Sequence, residues 1–131
     1  DKRGYAYSVY SYFAPMRQAG PFQIGLQTKR SQAKDAIKVT REVLDGFLKA
    51  GPSEEELAAA KANLTGSFPL RLDSNKKILD NVTMIAFYGM PLDYLDHYQA
   101  KVQAVTAEDV KQAFARRVRP ADLITVTVAA D

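Results

Sequence analysis

The chain opens with a run of tyrosines set two apart. Tyr5, Tyr7, Val9, Ser11 and Phe13 fall on one side of an extended backbone, and Tyr10 and Tyr12 on the other. Successive strand side chains point to opposite faces and aromatic residues favour strands, so the pattern predicts a strand from Tyr5 to Phe13. Pro15 and Gly20-Pro21 mark a connection. Phe22, Ile24 and Leu26 then alternate with Gln23, Gly25 and Gln27, as in a half-buried strand pairing antiparallel with the first.

The period changes after Ser31, which the spacing reads as a helix N-cap. Ala36, Ile37, Thr40, Val43, Leu44, Phe47 and Leu48 recur at helical spacing until Gly51-Pro52. Ser53 with Glu56 three residues on forms a capping box. The helix it starts runs through Leu57, Ala60 and Leu64 towards Phe68, with a bend at Pro69. Asp73 or Ser74 caps a third helix carrying Ile78, Leu79, Val82, Ile85 and Ala86. Gly89-Met90-Pro91 ends it. A fourth holds Tyr94, Leu95, Tyr98, Val102 and Val105. Thr106 and Asp109 open a fifth with Val110, Ala113, Phe114 and Val118, and Pro120 stops it. The β-branched run from Leu123 to Ala129 reads as a third strand returning to the sheet.

Strands and helices therefore come in separate runs, which marks the α+β class. The expected architecture is a small antiparallel or mixed sheet with about five helices on one face. At 131 residues the chain is sized for a single domain, residues 1–131. Three strands make a small sheet, so part of it is expected upstream of Asp1. The opening Asp1-Lys2-Arg3-Gly4 is neither an initiator methionine nor a signal peptide. It suggests a processed chain or a piece of a longer one, leaving an open strand edge through which copies would associate.

Composition removes several chemistries. There is no cysteine, hence no disulfide, thiol nucleophile or thiolate-bound metal. No apolar run is long enough to span a membrane. The net charge of +3 is spread out. Its densest point, Arg116, Arg117 and Arg119, sits at a helix end, where cations complement the helix dipole. The tyrosines lack interleaved basic residues, so no nucleic-acid partner is expected.

The catalytic candidates thin out in the same way. His97 is the only histidine, which excludes a histidine-based zinc motif here. Asp93, four residues earlier, faces it as in an ordinary helical surface pair. Glu54, Glu55 and Glu56 read as a helix start, and Asp73 and Asp80 as capping and solvated groups. Met84, Phe87, Tyr88 and Met90 read as core, with a docking surface as the alternative. What remains is the Tyr5-Ala6-Tyr7 strand entry after Gly4, where a tyrosine either packs or donates its phenol to a carbonyl or a developing oxyanion.

Several segments carry a resemblance. Asp1-Lys2-Arg3-Gly4-Tyr5-Ala6-Tyr7-Ser8-Val9-Tyr10-Ser11 is similar to the "R-[DE]-K-x-G-[LY]-A-Y-S-V-x-S" stretch of the pitrilysin/insulinase superfamily of zinc peptidases. Its nearest branch is the bacterial relatives of mitochondrial processing peptidase. Ser53 to Lys61 resembles "[ST]-x-E-E-L-x-x-A-K", Phe68 to Ser74 the stretch that joins two of the family's helices, Tyr88 to Tyr94 "Y-G-L-P-x-D-Y", and Val105 to Val110 "V-T-x-E-D-V", all in family order.

The resemblance implies the second part of a larger LuxS/processing-peptidase-like metallohydrolase domain. In that family one half carries the zinc motif, and the other supplies an arginine and a tyrosine that hold the substrate backbone. Tyr7 matches that tyrosine, and the matching arginine would stand just before Asp1. The implied role is the C-terminal, substrate-holding half of a zinc metallopeptidase. Zinc would lie in the parent protein, outside this chain, and no catalytic residue or metal ligand in it. The implied partners are a zinc-bearing N-terminal half or partner subunit and a peptide substrate. The alternative is a non-catalytic partner or assembly subunit of the same superfamily. Family habit places such proteins in the bacterial periplasm, with the cytoplasm as the other expectation.

Overall fold

The computed structural model of the chain describes residue 4 and residues 6–129. Tyr5, where the first strand was expected to begin, lies outside the described residues, as does the Asp1-Lys2-Arg3 opening. The elements are β1 (Ser8–Phe13), β2 (Phe22–Gln27), α1 (Ala33–Ala50), α2 (Glu54–Gly66), α3 (Asn75–Tyr88), α4 (Tyr94–Ala104) and α5 (Ala107–Arg117). Single 3₁₀ turns occur at Arg30–Gln32, Phe68–Arg71 and Pro120–Asp122. This is the expected α+β class. The chain divides into two compact units, one holding the residues up to Gly51 and from Lys111 on, the other Pro52–Val110.

In the first unit β1 and β2 pair antiparallel, Ser8 opposite Gln27 and Phe13 opposite Phe22. Alternation splits the ribbon into two faces. Ser8, Tyr10, Tyr12, Gln23, Gly25 and Gln27 share one, where the Tyr12 hydroxyl donates to Gln23 Oε1. Val9, Ser11, Phe13, Phe22, Ile24 and Leu26 share the other, which carries the apolar packing. Phe13 and Phe22 lie 4.8 Å apart, and Phe114 of α5 meets them at 5.3 and 5.8 Å. Phe47 of α1 closes the cluster against Phe114 at 4.9 Å with its ring edge-on, a favoured aromatic geometry. Among its described residues, Ala36, Leu44 and Val118 are the buried side chains of this unit.

Two local expectations need correction here. Ser31 does not cap α1. It sits inside the 3₁₀ turn, and α1 begins after Gln32, with no side-chain cap bond. The turn's own backbone bond, from the Gln32 N–H to the Lys29 carbonyl at 2.9 Å, already closes the chain there. The second correction is the third strand. Leu123–Ala129 joins no ladder, and the described sheet is β1 with β2 alone. β-Branching favours an extended backbone, but a strand exists only beside a partner that takes its N–H and C=O groups. Ile124, Val126 and Val128 are instead 89%, 81% and 93% exposed. A side-chain bond from Arg41 Nη2 of α1 to Thr125 Oγ1, 2.8 Å, holds the segment.

In the second unit the caps predicted from spacing form. The Glu56 N–H donates to Ser53 Oγ at 3.1 Å and the Ser53 N–H to Glu56 Oε2 at 2.9 Å, a reciprocal box. Thr106 and Asp109 repeat it at 2.9 and 3.1 Å. Ser74 rather than Asp73 caps α3, and Gly89 ends it in the left-handed conformation at φ 63°. α2 is alanine-rich and lacks a strong apolar stripe, so polar ties fasten it to α4. Lys61 Nζ donates to the Gln103 carbonyl at 2.8 Å, and Gln103 Nε2 to Thr65 Oγ1 at 3.3 Å. Phe68 stacks on Tyr98 at 4.9 Å, and the Arg71 guanidinium lies 5.6 Å from the Tyr98 ring centre.

Candidate functional site

Tyr7 stands one residue before β1. Its N–H donates to the Gln27 carbonyl at 2.8 Å, continuing the ribbon past its last ladder pair. Ser8 Oγ adds a 3.4 Å bond to Gln27 Oε1 at the same end. The backbone of Tyr7 is therefore held by β2, while the residue is 76% exposed. A phenol so placed is open to solvent and can exchange a water for a ligand carbonyl as its hydrogen-bond acceptor.

The other candidates resolve as ordinary structure. His97 Nε2 lies 3.2 Å from Asp93 Oδ2, and both side chains are more than half exposed, so the pair is a helical surface contact. Asp73 pairs with Lys77 and Asp80 with Lys76, each at 2.8 Å, so the two carboxylates are engaged separately. Among the glutamates at the start of α2, the Glu56 carboxyl is held below its ordinary value. The Ser53 backbone hydrogen bond is the main cause, followed by the Ser53 side chain. This is capping chemistry. Phe87 meets Tyr88 edge-on at 4.9 Å, with Phe87 itself more than half exposed. Arg119 pairs with Asp122 at 3.0 Å.

One feature the periodicity did not single out is an open apolar groove of about 480 Å³ in the first unit. Val9 on β1 and Val39 and Val43 on α1 line it, with Ile24, Leu26 and Phe47. Val9 and Val43 are each 65% exposed. Among the described residues no three histidines, aspartates or glutamates gather so as to hold a metal ion. Nor, among the described residues, is any helix long and apolar enough to cross a membrane.

Residues 1–64 match the family model described as the peptidase M16 inactive domain. The chain is similar to a Streptomyces coelicolor protein named an uncharacterized zinc protease, 31% identical over 118 residues that cover 90% of this chain and 26% of the relative. A second relative, of Helicobacter pylori, is named a non-peptidase homolog and is 29% identical, covering 83% of this chain and 25% of its own length. The chain thus spans about a quarter of the length of these curated relatives. Among solved structures, a peptidase M16 inactive domain from Pseudomonas fluorescens superposes with a TM-score of 0.84 at 38% identity, over 91% of this chain and 28% of that one. Motifs in family order, the family match over residues 1–64 and a shared fold agree in likening this chain to the peptidase M16 inactive domain.

Proposed function

We propose that this chain is the substrate-holding part of a zinc-metalloendopeptidase-like parent, and that Tyr7 is its working residue. The carrying observation is an exposed phenol on a backbone pinned by Gln27, in a chain related to proteins named zinc proteases. The described residues do not fit a zinc site. The proposed role of the chain is therefore confined to the peptide. The Tyr7 hydroxyl donates to the carbonyl oxygen of the bond under attack. That oxygen gains negative charge as the tetrahedral form develops, and the hydrogen bond strengthens with it. An interaction stronger in the transition state than in the ground state raises turnover more than affinity.

The test is Tyr7→Phe in the full-length parent, with single-turnover kinetics on a peptide. The ring keeps its shape, and only the donor is lost. Turnover is expected to fall roughly a hundred- to a thousandfold, the usual effect of removing one such donor. A rate within about twofold of the original, well under 1 kcal/mol, defeats the assignment.

A second reading is supported by the non-peptidase homolog of Helicobacter pylori and by the family's description as an inactive domain. In it the parent is a non-catalytic partner or assembly subunit. A full-length parent that hydrolyses no peptide, alone or with a zinc-bearing partner, selects this reading.

A further inference from the structure

Among the described residues, only Ala36, Leu44, Ile85 and Val118 are buried apolar side chains. The chain exposes 10246 Å² of surface. A self-contained monomer of 14.5 kDa exposes about 6,900 Å². Counted as two separate bodies, one for each unit, that mass would still expose only about 8,300 Å². About 2,000 Å² is therefore surface that a finished fold of this size covers. A permanent interface buries about 1,000–2,500 Å² on each partner. The missing cover is a folded body rather than a free peptide.

Two parts of the uncovered surface lie in the first unit and meet on α1. One is the apolar groove, walled by Val9 of β1, Ile24 and Leu26 of β2 and Val39 and Val43 of α1. The other is Leu123–Ala129, which no strand accompanies. Arg41 stands between Val39 and Val43 in sequence, and its bond to Thr125 keeps this run beside the same helix. Each strand of the ribbon also has one edge without a ladder partner among the described residues. Unpaired backbone groups beside an apolar groove form the surface that an added strand fills. Its backbone joins a ladder and its alternate side chains enter the groove.

We propose that the groove and Leu123–Ala129 together form the seat of a β-strand that the parent polypeptide supplies from outside residues 1–131. Its backbone pairs with Leu123–Ala129, and apolar residues at alternate positions cover Val9 and Val43. The chain spans about a quarter of the length of its curated relatives, so a parent of that length has ample polypeptide to supply the strand. A strand tethered in the same molecule reaches its seat at an effective concentration of about a millimolar, which a second copy at ordinary working concentrations does not match. The proposal does not depend on the role of Tyr7.

The test is made in the full-length parent. The photoreactive residue p-benzoylphenylalanine replaces Val43 in one variant and Val126 in another. A mixture of unlabelled and isotope-labelled protein is irradiated, with and without a peptide substrate, and the captured segments are mapped by mass. Both positions are expected to capture one segment of the same molecule, outside residues 1–131, because neighbouring strands bring side chains of one face together. Hydrogen exchange on the unmodified parent is a second readout that needs no variant. The amides of Ile124 to Val128 should exchange at least about a hundredfold more slowly than in the isolated chain, at every protein concentration.

Capture from within residues 1–131 alone would overturn the proposal. Capture of the differently labelled molecule would overturn it by giving the seat to a second copy. Capture of the added peptide alone would overturn it by making the groove a substrate subsite. So would the absence of any capture at both positions. Unprotected amides from Ile124 to Val128 in the parent would overturn it as well, since no strand then pairs there. Turnover is not read, so a parent without peptide turnover removes the reading of Tyr7 and leaves this test intact.

Discussion

Tyr10 lies across Gly25, its direct partner on the neighbouring strand. A Cβ placed on Gly25 would sit 2.3 Å from Tyr10 Cζ. The glycine is thus the floor under an aromatic ring, and the ring covers a strand position that has no side chain of its own. Glycine normally weakens a strand. Here the ring supplies the missing cover.

This pair predicts a sign change. Gly25→Ala should destabilise the chain by about 1 kcal/mol, because the ring must swing out towards solvent. Tyr10→Ala removes the obstacle. In that background Gly25→Ala should be neutral or stabilising by about 0.5 kcal/mol, alanine losing less backbone entropy than glycine. Urea unfolding of the four proteins measures the coupling. Strict additivity would show that the ring does not rest on Gly25 in solution.

The capping box at α2 predicts a pH response. The Glu56 carboxyl is held below its ordinary value, chiefly by the Ser53 backbone bond. A carboxylate with a lowered folded value stabilises the fold above its unfolded value. That contribution is lost as pH falls through the folded one. The capping contribution should therefore be complete near neutrality and fade in acid. A carbon-detected titration of Glu56 should show its midpoint move upward only in part in Ser53→Ala, since that change removes the hydroxyl and leaves the Ser53 N–H, the larger cause, in place. An unmoved midpoint would mean that the hydroxyl takes no part in holding the carboxylate.

The metal prediction concerns the chain by itself. With one histidine, no cysteine and no described cluster of ligands, the isolated 131-residue chain should retain no tightly bound zinc after dialysis and cleave no peptide. Elemental analysis finding one zinc per chain would contradict this, since tight sites usually need three or four nitrogen, sulfur or carboxylate ligands.

Phe114 is the ring shared by most of the aromatic contacts of the first unit, touching Phe13, Phe22 and Phe47. Phe114→Ala should cost about 2–3 kcal/mol, below the full-burial figure because the residue is only half-buried. Phe114→Leu should cost less than half as much, since it keeps most of the volume. Thermal unfolding reads both. A silent Phe114→Ala would separate α5 from the ribbon.

Ser53/Glu56 and Thr106/Asp109 were legible because a capping box is a local bond between residues three apart. β1 and β2 were legible because one face packs on Phe47 and Phe114, which fixes the alternation. Ser31 misled because a 3₁₀ turn preceding a helix uses the same residue types as a cap. The Leu123–Ala129 strand misled for a non-local reason. Propensity describes one segment, whereas a ladder requires a second, and the described sheet offers it none. The Val9–Val43 groove was not legible at all, since it depends on what a helix face leaves uncovered. Within the Tyr5-Ala6-Tyr7 strand entry, Tyr7 was singled out by its match to the family motif alone.

The corrected third strand leads to the last prediction. Backbone amides of Val9 to Phe13 and Ile24 to Leu26 lie in the ribbon of two paired strands, and amides of α1 lie in a continuous helix. Those of Ile124 to Val128 lie in no ladder, and the bond described for this stretch runs between side chains, from Arg41 to Thr125. Exchange with solvent is slowed by backbone hydrogen bonds that must open first. In the isolated chain, Ile124 to Val128 should therefore exchange near the rate of an unstructured peptide, while α1 is protected at least about a hundredfold, as even a few kcal/mol of local stability provides. Arg41→Ala should leave that contrast intact, because a side-chain tether protects no amide. Strong protection across Ile124 to Val128 that survives dilution would show these residues paired within one chain and would restore the third strand. Protection that disappears on dilution would assign the pairing to a second copy instead.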